Sequence, residues 1–195
     1  MSGTFPISPL PKDAELHSNQ PVIESISSSG RRQSRIVDGH LWLITCTYDK
    51  MERDKIAPLF AFSINQIGSS FDVILPQFAS PLCVGTGSPT SSSSGSVGDN
   101  TINATGFTSV TGVMKAGDII KFANHTKVYM LTADVNSGSA TLSFQPKLIE
   151  PVPSGQPIII RDVPFRMFFD DNILKWKTTA PTISTYTLKL KESIQ

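Results

Sequence analysis

The stretch Met114–Leu148, MKAGDIIKFANHTKVYMLTADVNSGSATLSFQPKL, constrains the fold of this chain more than any other segment. Its apolar residues alternate: Ile120 and Phe122 fall on one face, Ile119 and Lys121 on the other, and Tyr129, Leu131 and Ala133 alternate with Val128, Met130 and Thr132. Asn124-His125 and Asn136-Ser137-Gly138 interrupt the runs with residues that tolerate tight turns. A helix would need apolar residues every three or four positions, so the segment reads as a small antiparallel meander. It carries no catalytic motif.

Only one segment changes period. From Met51 to Ile67 the residues Ile56, Leu59, Phe60, Ser63, Ile64 and Ile67 recur at three and four, which predicts an amphipathic helix ended by Gly68. Asp49 and Glu52 have capping-box spacing, but Pro58 favours Asp54 as the N-cap, because proline is tolerated in the first helical turn. Leu41–Tyr48, LWLITCTY, reads as a central strand, and Phe71–Leu75 as another stopped by Pro76. Val22–Ile26 and Arg31–Val37 form a hairpin about Ser28-Ser29-Gly30. Pro157–Val163, Phe165–Phe169 and Thr182–Leu190 have strand character, with Asp170-Asp171-Asn172 as a turn. Two stretches lack periodicity. Residues 1–20, with Pro6, Pro9 and Pro11, are expected to be an extended arm, and Gly85–Asn100, GTGSPTSSSSGSVGDN, a mobile surface loop or linker.

At 195 residues the chain can bury a real core as one domain or two. Its 17 Lys plus Arg against 16 Asp plus Glu produce no net field for nucleic acid or an anionic membrane. No apolar run reaches the roughly 20 residues needed to span a bilayer, and Met1–Gln20 lacks an apolar centre, so synthesis in a cytoplasm is expected. Cys46 and Cys83 are too few for a disulfide framework and are expected to be reduced and buried, a single disulfide being the alternative.

The residue types that carry chemistry do not converge. His17, His40 and His125 lie near no Ser or Cys nucleophile motif. Asp118 and Asp134 suggest a carboxylate pair, or with Asn124 and Asn136 a calcium site, but turn aspartates more often hold local backbone amides. Gly85-Thr86-Gly87 lacks the Lys and following helix of a phosphate loop. Asn103-Ala104-Thr105 and Asn124-His125-Thr126 match a glycosylation pattern that means little without a secretion signal. Trp42 and Trp176 are read as packing residues. Arg31, Arg32 and Arg35 are the one basic cluster, a solvated turn or a subunit or DNA contact.

Two stretches together resemble a known family. Gly39–Pro76, GHLWLITCTYDKMERDKIAPLFAFSINQIGSSFDVILP, resembles the front of distal tail proteins of long-tailed bacteriophages, and Lys115–Pro146, with KAGDIIKF and KVYMLTADV, resembles a β module of the same tail proteins. The resemblance implies a mainly β (α+β) fold: an antiparallel β-sandwich or split-barrel-like hub with one amphipathic helix and an inserted small β module. It divides the chain into an arm at 1–20, a ring-forming hub at 21–78 and 151–195, and a module at 79–150. It implies a non-enzymatic virion protein without cofactor or metal, forming an oligomeric, hexameric ring at the distal end of the tail. Its implied partners are the tail tube and other baseplate or tail-tip proteins, with no membrane and with DNA only as cargo in the channel. Phe5, Pro6, Pro9, Arg31, Arg32 and Arg35 become the expected subunit contacts. The expected core is Trp42, Ile44, Leu59, Phe60, Ile64, Phe71, Ile120, Phe122, Tyr129 and Leu131. A carbohydrate-binding β module, or another tail component such as a tube or terminator protein, is the alternative.

Overall fold

The computed structural model describes residues 3–6, 8–79, 87–107, 113–136, 138–180 and 183–194. Strands take 49% of the chain and helix 10%, so the fold is mainly antiparallel β. In order the elements are β1 (Asp13–Asn19), β2 (Val22–Ile26), β3 (Arg32–Ile36), β4 (Leu41–Glu52), α1 (Arg53–Asn65), β5 (Phe71–Val73), α2 (Pro76–Ala79), β6 (Gly87–Ser91), β7 (Thr101–Phe107), β8 (Ile119–Phe122), β9 (Val128–Leu131), β10 (Ser139–Gln145), β11 (Ile158–Ile159), β12 (Phe165–Phe169), β13 (Trp176–Ala180) and β14 (Ile183–Glu192). They divide into two compact units. A helix unit comprises Pro9–Gly68 and Phe168–Glu192, and a barrel unit comprises Met1–Ser8, Ser69–Met167 and Ser193–Gln195.

In the helix unit β4 is the central strand. β1 pairs with one edge, placing Leu16 opposite Ile44, and β14 pairs with the other, placing Leu188 opposite Cys46 and Leu190 opposite Ile44. β13 pairs with the first half of β14. Alternation along β4 buries Trp42, Ile44, Cys46 and Tyr48, and along β14 it buries Tyr186, Leu188 and Leu190. The buried Glu192 carboxylate accepts the Trp42 backbone N–H at 3.0 Å, tying the end of β14 to the start of β4. The segment expected to be a free arm therefore contains a paired strand, because Ala14 and Leu16 continue the apolar face that β4 sets.

Helix α1 packs on β4 and β14 through Ile56, Leu59 and Ser63. Phe60 is half-buried, its ring 5.3 Å from Trp176 and 5.4 Å from Tyr186. Ile64, expected in the core, is 55% exposed. At about 100° per residue it lies one step round from Ser63, whose small side chain lets the helix close on the sheet there. Ile67 is exposed beyond the helix end. The helix also starts without either expected cap. Strand β4 runs straight to the N-cap Glu52, which makes no side-chain capping bond, and Asp49, still in the strand, instead accepts from Lys12 and Thr185. Pro58 consequently sits inside the helix.

The barrel unit is a six-stranded sheet in the order β11-β8-β9-β10-β7-β6. Its two edge strands approach each other through an antiparallel bridge between Thr90 and Pro157. Ser91 reinforces the seam: its N–H donates to Gln156 O at 2.9 Å, its hydroxyl donates to Pro153 O at 2.7 Å, and the hydroxyl accepts the Gln156 N–H at 2.9 Å. The sheet is thus a nearly closed barrel. Phe122, Tyr129 and Phe144 fill it with edge-to-face rings whose centroids lie 5.2–5.9 Å apart, surrounded by Ile102, Ile120, Leu131 and Leu142. Val152, Ile158 and Ile160 belong to the same core, so the barrel extends past the expected module boundary at 150.

The Ser/Gly-rich stretch is not the expected mobile loop. Gly87–Ser91 is strand β6, Gly95 is bridged to Val152 in both directions at 2.8 and 2.9 Å, and Asp99 closes a turn on the Ser96 N–H at 2.7 Å. Its small residues serve close approach, not mobility. A Cβ on Gly95 would stand 2.7 Å from Leu148 Cδ1, and one on Gly106 of the neighbouring β7 would stand 2.9 Å from Ser88 O. Gly85 and Thr86 lie outside the described residues. Elsewhere in this unit β5 pairs with β12, and Thr4 bridges Asp72.

Candidate assembly surfaces

The groups that could carry catalysis are engaged structurally. Asp118 is buried and accepts the Lys115 N–H at 2.8 Å. Asp134 accepts the Lys115 ammonium at 2.7 Å and the Ala116 N–H at 2.9 Å, and the Lys115 bond is the main cause holding its carboxyl below the usual range. Both aspartates shape one turn. His125 is buried, with Nε2 3.3 Å from the Tyr129 hydroxyl and, among the described residues, no hydrogen-bond partner on Nδ1, and burial lowers its pKa. His40 hydrogen-bonds Ser18 at 2.8 Å, and His17 contacts Glu15. Burial raises the Cys46 thiol to about 12, which makes it inert as a nucleophile; Cys83 lies outside the described residues. Among the described residues no cluster of His, Cys, Asp and Glu could hold a metal ion.

The residues expected at subunit contacts have separate fates. Phe5 is only 4% exposed, stacked on Phe71 at 6.1 Å with its N–H bonded to Asp72 O at 2.7 Å. That side chain is spent inside its own unit and is withdrawn as a docking residue. Pro6 and Pro9 are half-buried, while Pro11 is buried. Arg31, Arg32 and Arg35 are exposed on the hairpin formed by β2 and β3. Arg32 pairs with Glu24, and Arg31 and Arg35 make no ion pair among the described residues.

That hairpin is the most solvent-exposed part of the helix unit. Ser27 and Arg31 close a three-residue loop in which Gly30 takes a φ of +78°, so the turn follows directly from Ser28-Ser29-Gly30. Register places Val22 opposite Ile36, Ile23 opposite Arg35, and Ile26 opposite Arg32. Every residue of both strands is exposed, including four large aliphatics. Sequence reading identified the arginines but passed over these aliphatics, because alternation normally implies a buried face. The missing signal was the lack of any third strand to cover them. Ile173, beyond β12, is 72% exposed and was likewise missed.

The segment that forms the barrel matches one class of protein in sequence. Residues 82–160 match the family described as the distal tail protein pb9, B domain, a range that contains all six strands of the barrel. The similarity is not confined to that segment. Over 188 residues the chain is 26% identical to the distal tail protein pb9 of Escherichia phage T5, covering 94% of this chain and 92% of that relative. The resemblance to phage distal tail proteins holds along nearly the whole chain.

Proposed function

We propose that this chain is a structural, non-enzymatic component of a phage virion, acting at the distal end of the tail. The observation that carries the reading is similarity to a distal tail protein through both units, joined to a barrel that coincides with the matched B-domain segment. In this reading the chain forms a closed, hexameric ring that joins the tail tube to the baseplate or host-recognition apparatus, with DNA passing through only as cargo. The helix unit is the ring-forming hub, and the barrel is a rigid module inserted within its sequence. Three features support a scaffold. Among the described residues nucleophile and base are not brought together, the turn carboxylates hold backbone amides, and apolar and basic side chains are exposed on a hairpin.

Light-scattering mass and negative-stain images of the full chain, alone and with the tube protein, test the proposal. Closed rings are expected. A chain that stays monomeric at high concentration in both conditions would overturn it, and glycan binding by the same sample would promote a carbohydrate-binding role.

A further inference from the structure

We propose that the β2–β3 hairpin is one half of a head-to-tail contact between copies of this chain, and that it docks on the Asp170–Ile173 turn of the next copy. The inference rests on the ring reading and names the two surfaces that would meet.

The hairpin needs a partner on physical grounds. A two-stranded hairpin is marginal in water by itself, and this one exposes Val22, Ile26 and Ile36 on one face and Ile23 on the other. Clustered aliphatics of this kind mark interaction surfaces more often than scattered single residues do. Charge then narrows the occupant. Three arginines against Glu24 leave the hairpin strands and loop at a net +2, so a second hairpin would bring like charges together and a symmetric contact is disfavoured.

The complement must be apolar and acidic. Among the described residues of the helix unit, Ile173 is the most exposed large aliphatic, and it follows the exposed carboxylates Asp170 and Asp171. Asp171 lies 3.7 Å from Lys189, but both side chains are about 60% exposed, so that pair is weak and exchangeable. The other exposed aliphatics of the unit fit less well: Leu10 stands between Pro9 and Pro11, Ile64 and Ile67 flank the neutral Asn65 and Gln66, and Ile183 lies opposite Glu52, whose carboxylate is 3.5 Å from Lys55. Two different patches on one chain make a heterologous contact, which closes into a ring when the rotation between copies allows.

The test is a charge swap on the full chain, read by sedimentation over a concentration series. Arg31→Glu with Arg35→Glu, and separately Asp170→Arg with Asp171→Arg, should each weaken assembly at least tenfold while leaving the melting temperature unchanged, since all four side chains are exposed. Combining the four substitutions should restore assembly, because the pairing is reversed and not removed. Ile26→Ser with Ile36→Ser provides an independent readout that keeps the charges and should also weaken assembly. Wild-type rings accompanied by equally strong assembly of these variants would overturn this contact and leave the ring reading standing. Failure of the combined swap to regain assembly would overturn the pairing of these two surfaces. A monomeric wild type, alone and with tube protein, would overturn both.

Discussion

The barrel and the β2–β3 hairpin both set aliphatics on an antiparallel ladder, and reach opposite states. In the barrel six strands curl until Thr90 meets Pro157, so every inward side chain finds others and Phe122, Tyr129 and Phe144 are fully buried. The hairpin is a two-stranded sheet with no further strand paired to it among the described residues, and Ile23, Ile26 and Ile36 stay exposed. Alternation specifies which residues share a face. Whether that face is buried depends on how many strands are present to cover it.

The largest effect that separates the two regions is truncation of an aliphatic or aromatic side chain. Phe122→Ala should cost about 3–5 kcal/mol, the range for emptying an aromatic site in a packed core. Ile26→Ala should change monomer stability by less than about 0.5 kcal/mol, as exposed substitutions usually do. Urea denaturation of both variants below the assembly concentration checks this, and similar losses would break the comparison. The same contrast recurs along one helix. Leu59→Ala should cost about 2–5 kcal/mol, whereas Ile64→Ala should lie within about 0.5 kcal/mol of wild type. A large loss at Ile64 would restore the wider apolar face that sequence periodicity suggests.

A smaller effect probes the barrel seam. Ser91→Ala removes the hydroxyl that donates to Pro153 O and accepts from Gln156 N–H, and should cost about 0.5–1.5 kcal/mol, since the two backbone groups are only part-buried and water can replace the lost bonds in part. Hydrogen exchange should quicken near the seam first. Unchanged exchange would return this stretch to the linker that its composition implies.

Strands β4 and β12 were legible because burial and period agree there, and β8 and β9 because their apolar runs are bounded by turn residues, although Ile119 and Val128 on their second face are buried too. Helix α1 was legible for the same reason, but its width was not: Ser63 rather than Ile64 faces the sheet, and which small residue permits close approach depends on the partner surface. β1 was hidden, since DAELHSN has two weak apolar positions and acquires strand structure by pairing with β4. β6 was hidden by its composition, as Gly-Ser-Pro-Thr-Ser resembles a linker until backbone pairing and the Ser91 bonds are seen. The basic half of the candidate assembly surface could be read from three arginines. The turn Asp170-Asp171-Asn172 was legible as a turn, but the exposure of Ile173 beside it and of the hairpin aliphatics was not, because exposure is a tertiary property.

The finest separation of the two regions is by pH. His125 is buried beside Phe122 and Tyr129, while the hairpin has no histidine. Burial is the main cause lowering its pKa below 6.5; Lys121 and Lys127 add to the effect and Glu150 opposes it. A base whose folded pKa is depressed binds its proton more readily in the unfolded chain, so acid favours unfolding. The stability associated with neutral His125 is therefore fully present above 6.5 and is lost as pH falls from there toward the folded value. Asp49 and Asp134 have carboxyls held below 3.8, chiefly by hydrogen bonds from Lys12 and Lys115 respectively. Their contribution is lost only at more acidic pH, which leaves the upper window to His125. Melting the barrel, followed by exchange of its core amides, should show stability falling as pH drops below 6.5, and His125→Gln should flatten that slope. An unchanged slope in the variant would show that another group titrates there and would remove His125 as the acid-sensitive point of the barrel.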